Sequence, residues 1–111
     1  GDSPLPIQTI DSSGGTLSNL RAYKTSDRIF ITGSLKKALG QNIPASAHVD
    51  VQLIAADGTV VAEEYDDINP SHPRLSQARF GRVPFVVSFP LVGVGEAVSI
   101  IVQYHPRVHS A

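Results

Sequence analysis

Residues 48–65 read His-Val-Asp-Val-Gln-Leu-Ile-Ala-Ala-Asp-Gly-Thr-Val-Val-Ala-Glu-Glu-Tyr, with apolar and polar positions alternating on both sides of Asp57-Gly58. A period of two is the signature of a strand with one buried face. Asp-Gly between two such segments predicts a hairpin, because a type I′ turn needs positive φ at both central residues. With Asp57 and Gly58 as the loop, Ala55 faces Val60 and Leu53 faces Ala62. Opposed residues share a sheet face. Val49, Val51, Leu53, Ala55, Val60 and Ala62 then turn inward, and Asp50, Gln52, Ile54, Val61, Glu63 and Tyr65 outward. A slip of one residue would bury Asp50, Gln52 and Glu63, so the register is well specified.

The same reading extends along the chain. Leu5–Ile10 is the only part of the Pro-, Ser- and Gly-rich stretch 1–15 able to form an edge strand. Thr16–Lys24 and Arg28–Leu35 read as strands around the turn residues Thr25-Ser-Asp27, with Ile29, Ile31 and Leu35 on one face. A short helical turn is conceivable over Lys36–Leu39 within a connection that runs to Ala47. Val83–Leu91 alternates with Phe85, Val87, Phe89 and Leu91 inward, and Ala97–His105 with Val98, Ile100, Val102 and Tyr104 inward. Between them, 66–82 is the longest connection, as expected where a chain crosses from one sheet to the other. Leu75 and Phe80 are its expected apolar anchors.

These elements predict an all-β, two-sheet immunoglobulin-like β-sandwich of six to seven mainly antiparallel strands. Residues 1–15 form an extended N-terminal segment and 16–111 a single sandwich domain. One sheet holds Thr16–Lys24, Arg28–Leu35 and Val83–Leu91, and the other holds the hairpin arms and Ala97–His105. The chain ends at Ala111, too soon for a further strand beside 97–105. That open edge must be covered, by Leu5–Ile10 or by another chain. Outward Ile54, Val61, Tyr65 and Ile101 form the candidate partner surface.

The segments Ile31-Thr-Gly-Ser-Leu35, Ala56-Asp-Gly-Thr-Val-Val61 and Phe85-Val-Val-Ser-Phe89 resemble bacterial extracytoplasmic immunoglobulin-like domains of the FxLYD type. The resemblance covers roughly residues 28–91. The chain has Leu53-Ile-Ala-Ala-Asp57 where that type prefers Leu-Tyr-Asp before its turn. It implies an accessory or binding module, periplasmic or secreted, and carries over no catalytic residue.

Composition narrows the classes of function. The chain has 111 residues, enough for one domain with a real core. A formal net charge of −1 argues against a nucleic-acid binder. No apolar run approaches the roughly 18 residues of a membrane span. Zero cysteines exclude disulfides and thiol chemistry without assigning a compartment. The chain begins at Gly1 and has no Met, which predicts a mature protein after loss of a secretion signal or, equally, a domain cut from a larger protein.

Candidate chemistry is sparse. His48 and Asp50 share a strand face, and His105 or His72 could supply a third metal ligand. Pro106 forbids a helix that would join His105 to His109. Scattered surface histidines are the more common outcome, so no metal and no cofactor is expected. Asp66, Asp67 and Asn69 offer calcium-type oxygens without the spacing of an EF-hand. No Gly-x-Ser-x-Gly elbow or other nucleophile context appears, so no enzyme is expected. A sugar platform would have to use Tyr23 and Tyr65. Residues 48–68 carry six acidic groups and no Lys or Arg, and the loop beyond carries Arg74, Arg79 and Arg82. That basic loop either folds back on the acidic hairpin or recruits an acidic partner. The sequence thus predicts a non-catalytic binding or scaffolding module acting through protein–protein contact or self-association at a sheet edge, with a sugar- or metal-binding module using the loops at one end as the alternative.

Overall fold

The computed structural model describes residues 5–10, 15–37, 47–67 and 82–105. They form seven strands: β1 (Ile7–Ile10), β2 (Gly15–Lys24), β3 (Arg28–Lys37), β4 (His48–Ala55), β5 (Val60–Asp67), β6 (Arg82–Pro90) and β7 (Ala97–His105). The sheets run β1-β7-β4-β5 and β2-β3-β6. The chain is therefore an all-β, two-sheet β-sandwich, antiparallel except that β1 lies parallel to β7. The division of strands between the sheets follows the sequence reading. Lys36 and Lys37 continue β3 rather than turning into a helix, while Ala38 and Leu39 lie outside the described residues.

The core is the sum of the inward faces. Ile29, Ile31 and Leu35 of β3 and Val83, Phe85, Val87 and Phe89 of β6 pack against Val49, Val51 and Leu53 of β4 and Ile100, Val102 and Tyr104 of β7. All are buried. Such burial contributes about 1.5–3 kcal/mol for each large aliphatic or aromatic side chain. Gly33 permits a close approach within this layer. A Cβ there would stand 2.5 Å from Leu20 Cδ2 and 2.7 Å from Phe85 Cζ.

The hairpin turn differs from the sequence expectation. The loop is three residues, Ala56-Asp57-Gly58, with Gly58 N–H donating to Ala55 O and Ala55 N–H to Thr59 O. Gly58 takes φ of +90°, whereas Asn19 is the only non-glycine at positive φ among the described residues. Asp57 therefore stays out of the left-handed region, and the turn is a type I turn closed by a left-handed glycine. The Asp57 carboxylate accepts from Thr59 N–H at 3.0 Å and from the Thr59 hydroxyl at 2.7 Å, which holds this geometry.

A loop one residue longer must be absorbed in the ladder. Leu53 faces Ala62, as expected, but Ile54 faces Val60, and Val61 is the extra residue of a bulge. On the other side of β4, Ile54 faces Ser99 and Ala55 faces Ala97, so Val98 is extra there. The two irregularities sit at one level and disturb the local alternation. Ile54, expected outside, is buried; Val60 and Val98, expected inside, are 51% and 47% exposed. The outward strip of Ile54, Val61, Tyr65 and Ile101 is corrected accordingly. Tyr65 is exposed, Val61 and Ile101 are half-buried, and Ile54 is buried, though outside the main core cluster.

The edge beside β7 is occupied by β1, with Ile7 opposite Ile100 and Ile10 opposite Gln103. Ile100 N–H also donates to Pro6 O at 2.9 Å. At the opposite margin, Val86 N–H on β6 donates to the Asp66 carboxylate of β5 at 2.9 Å. That bond ties an edge amide of one sheet to the edge strand of the other, and it engages Asp66 with the backbone.

Candidate metal centre

The outer face of the four-stranded sheet carries three cross-strand rows. His105, His48 and Asp67 form the first, Gln103, Asp50 and Tyr65 the second, and Ile101, Gln52 and Glu63 the third. Positions two apart on a strand project from the same face, and directly opposed Cβ atoms stand about 4.5–5.5 Å apart. The β4–β7 register therefore brings the first residue of β4 beside the last residue of β7, with Asp50 one row inward.

The side chains converge. Asp50 Oδ2 lies 2.8 Å from His105 Nε2, and Asp50 Oδ1 lies 3.2 Å from His48 Nε2. The two imidazoles stack with centroids 5.0 Å apart at 18°. Tyr65 sets its ring edge-on to His48 at 5.8 Å. Side-chain exposures of 11%, 17% and 14% for His48, Asp50 and His105 leave the group reachable yet largely shielded from bulk water.

One potential ligand atom from each of the three residues lies within 4.8 Å of the others. Donors bound to one ion at about 2.0–2.1 Å stand roughly 3–3.5 Å from each other, close to the His–Asp separations found here. Two imidazoles and one carboxylate are a donor set suited to zinc, copper, nickel and non-haem iron, and poorly suited to calcium, which prefers six to eight oxygens. The ligands stand on paired strands, so the backbone holds them together, and seating an ion exchanges the Nε2 hydrogen bonds to Asp50 for coordination.

The other expected sites are not assembled in this way. Asp66 is engaged with Val86 N–H, and Asn69 lies outside the described residues. Tyr23 stacks on Phe30 at 5.3 Å and 15° on the three-stranded sheet, whereas Tyr65 stands on β5 of the other sheet. They cannot form one platform. Arg82 begins β6 and is exposed; Arg74, Arg79, His72, His109, Leu75 and Phe80 lie outside the described residues. The sequence pairs His48 with Asp50 and offers either His105 or His72 as a third ligand, without predicting a metal site. Sequence reasoning overlooked Gln52, Glu63 and Gln103, which line the same face and whose only signal was outward alternation.

No protein-family model matches this chain, and no curated protein or solved structure does either.

Proposed function

We propose that this domain is a non-catalytic binding module whose ligand is a divalent ion of the late first transition row, held by His48, Asp50 and His105. The observation that carries this reading is the convergence of two imidazole Nε2 atoms on one carboxylate at 3.2 and 2.8 Å. The ion sits on strands, as the pairing of His48 with Asp50 on one strand face suggests, rather than on the end loops of the alternative small-ligand module. Each imidazole must present a bare Nε2 to the ion, so protons compete with the metal and binding weakens on acidification. The compartment proposed with this function is the bacterial periplasm or exterior, which rests on the resemblance to extracytoplasmic domains alone.

Titration calorimetry with Zn(II), Ni(II), Cu(II) and Ca(II) tests the reading. Equimolar binding of the first three is expected, with copper tightest and calcium silent. His105→Gln, at the end of β7 and outside the core, should weaken binding by at least about tenfold and leave the fold intact. Unchanged affinity in that variant would overturn the site.

A second reading, contact with a protein partner, is favoured by Tyr65, which is 61% exposed on the same face. Tyrosine is a frequent interface anchor. The burial of Ile54 removes much of the apolar strip that this reading first relied on.

A further inference from the structure

Beside the three ligands lies a hollow of about 170 Å³, lined by Asp50, Gln52, Glu63, Ile101, Gln103 and His105. Two of its walls are themselves metal ligands, so an ion seated between His48, Asp50 and His105 forms one end of the hollow. Three protein donors leave coordination positions vacant on copper or nickel, and any exogenous donor on the hollow side faces these walls.

The walls have a defined chemistry. Asp50 and Glu63 together match the charge of a divalent ion, whose vacant positions remain open to a donor nitrogen or oxygen. The Gln103 amide can donate a hydrogen bond to a carboxylate. Glu63 is an acceptor, and the Gln52 side chain donates to it at 2.7 Å, which fixes its carboxylate on this face. Ile101 adds an apolar wall. A metal end with vacant positions, an amide donor and a carboxylate acceptor match one class of small chelator. An α-amino acid binds metal through amine and carboxylate together, its coordinated N–H groups can donate to Glu63, and its outer oxygen can accept from Gln103. Citrate and other polycarboxylates would set further negative charge against Asp50 and Glu63.

We propose that the ion is held together with a chelating α-amino acid, as a ternary complex filling this hollow. The proposal rests on the metal reading above and adds the identity of the second ligand.

Electron paramagnetic resonance of the full chain loaded with Cu(II) tests it, with glycine as the probe. Exchanging ¹⁴N-glycine for ¹⁵N-glycine should change the superhyperfine pattern while the histidine couplings persist. Gln103→Ala should raise the half-saturating glycine concentration about tenfold, the equivalent of a lost hydrogen bond to a charged group, with Cu(II) affinity in the absence of glycine unchanged. Citrate at matched concentration should give no ternary spectrum. If glycine strips copper from the histidines, or if the isotope exchange changes nothing, the ternary complex is wrong and the metal site stands. If Cu(II) shows no histidine couplings even before glycine is added, the metal reading fails and this proposal with it.

Discussion

His105 Nε2 stands 2.8 Å from Asp50 Oδ2, although one residue closes β7 and the other lies in β4. The carboxylate also reaches His48 Nε2 at 3.2 Å, so one acidic group gathers two imidazoles. A carboxylate is an acceptor, which requires hydrogen on the Nε2 atoms that approach it.

The first prediction concerns those protons. In metal-free protein at neutral pH, long-range ¹H–¹⁵N spectra should show hydrogen on Nε2 of both His48 and His105. Addition of Zn(II) should remove hydrogen from Nε2 of both rings. Spectra showing Nδ1–H alone in the metal-free state would contradict the observed arrangement.

The bulges at β4 make a second prediction that simple alternation would reverse. Ile54 is buried and Val98 is 47% exposed. Ile54→Ala should cost about 2–5 kcal/mol in urea unfolding, as large-to-small core changes do. Val98→Thr should stay within about 0.5 kcal/mol, as surface changes do. Equal costs, or the opposite order, would place the register shift elsewhere.

The third prediction follows from β1. Its backbone pairs with β7 from Ile7 opposite Ile100 to Ile10 opposite Gln103. Deleting residues 1–11 should open that edge, speed amide exchange on the β1-facing side of residues 97–105 and promote association, which sedimentation would register. A monomer with undiminished amide protection would show that β1 is dispensable.

Stability should fall at both ends of the pH scale, for separate reasons. Hydrogen bonds from the Thr59 hydroxyl and then the Thr59 N–H hold Asp57 below its ordinary value of 3.8. A depressed carboxylate contributes stability above the unfolded value and loses it as pH falls through the folded one, so this contribution declines below about pH 4. Burial pushes the Tyr104 phenol above 10.0. The unfolded chain then ionises first and binds fewer protons, so stability falls as pH rises past about 10. Urea unfolding of Tyr104→Phe should lack that alkaline decline; its persistence in the variant would assign it to another group.

The sequence by itself determined the class of fold, the strands and their division into two sheets. Alternation reports which side of a strand is apolar, and burial of that side is what folding must satisfy. It also marked Leu5–Ile10 as a segment able to form an edge strand, which β1 is. It could not supply the parallel direction of β1, since edge pairing depends on how the N-terminal segment crosses the sandwich. The three-residue turn was also beyond it, because Asp-Gly suits both a two-residue loop and a type I turn closed by glycine. One residue of loop length then displaced Val60 from its expected face, and a second irregularity between β4 and β7 displaced Val98. The site shows the same division. His48 and Asp50 are local, two apart on a strand, and could be read together. His105 joins them only because β7 pairs with β4 in one register, and a pairing between distant strands is decided by the packing of the whole core.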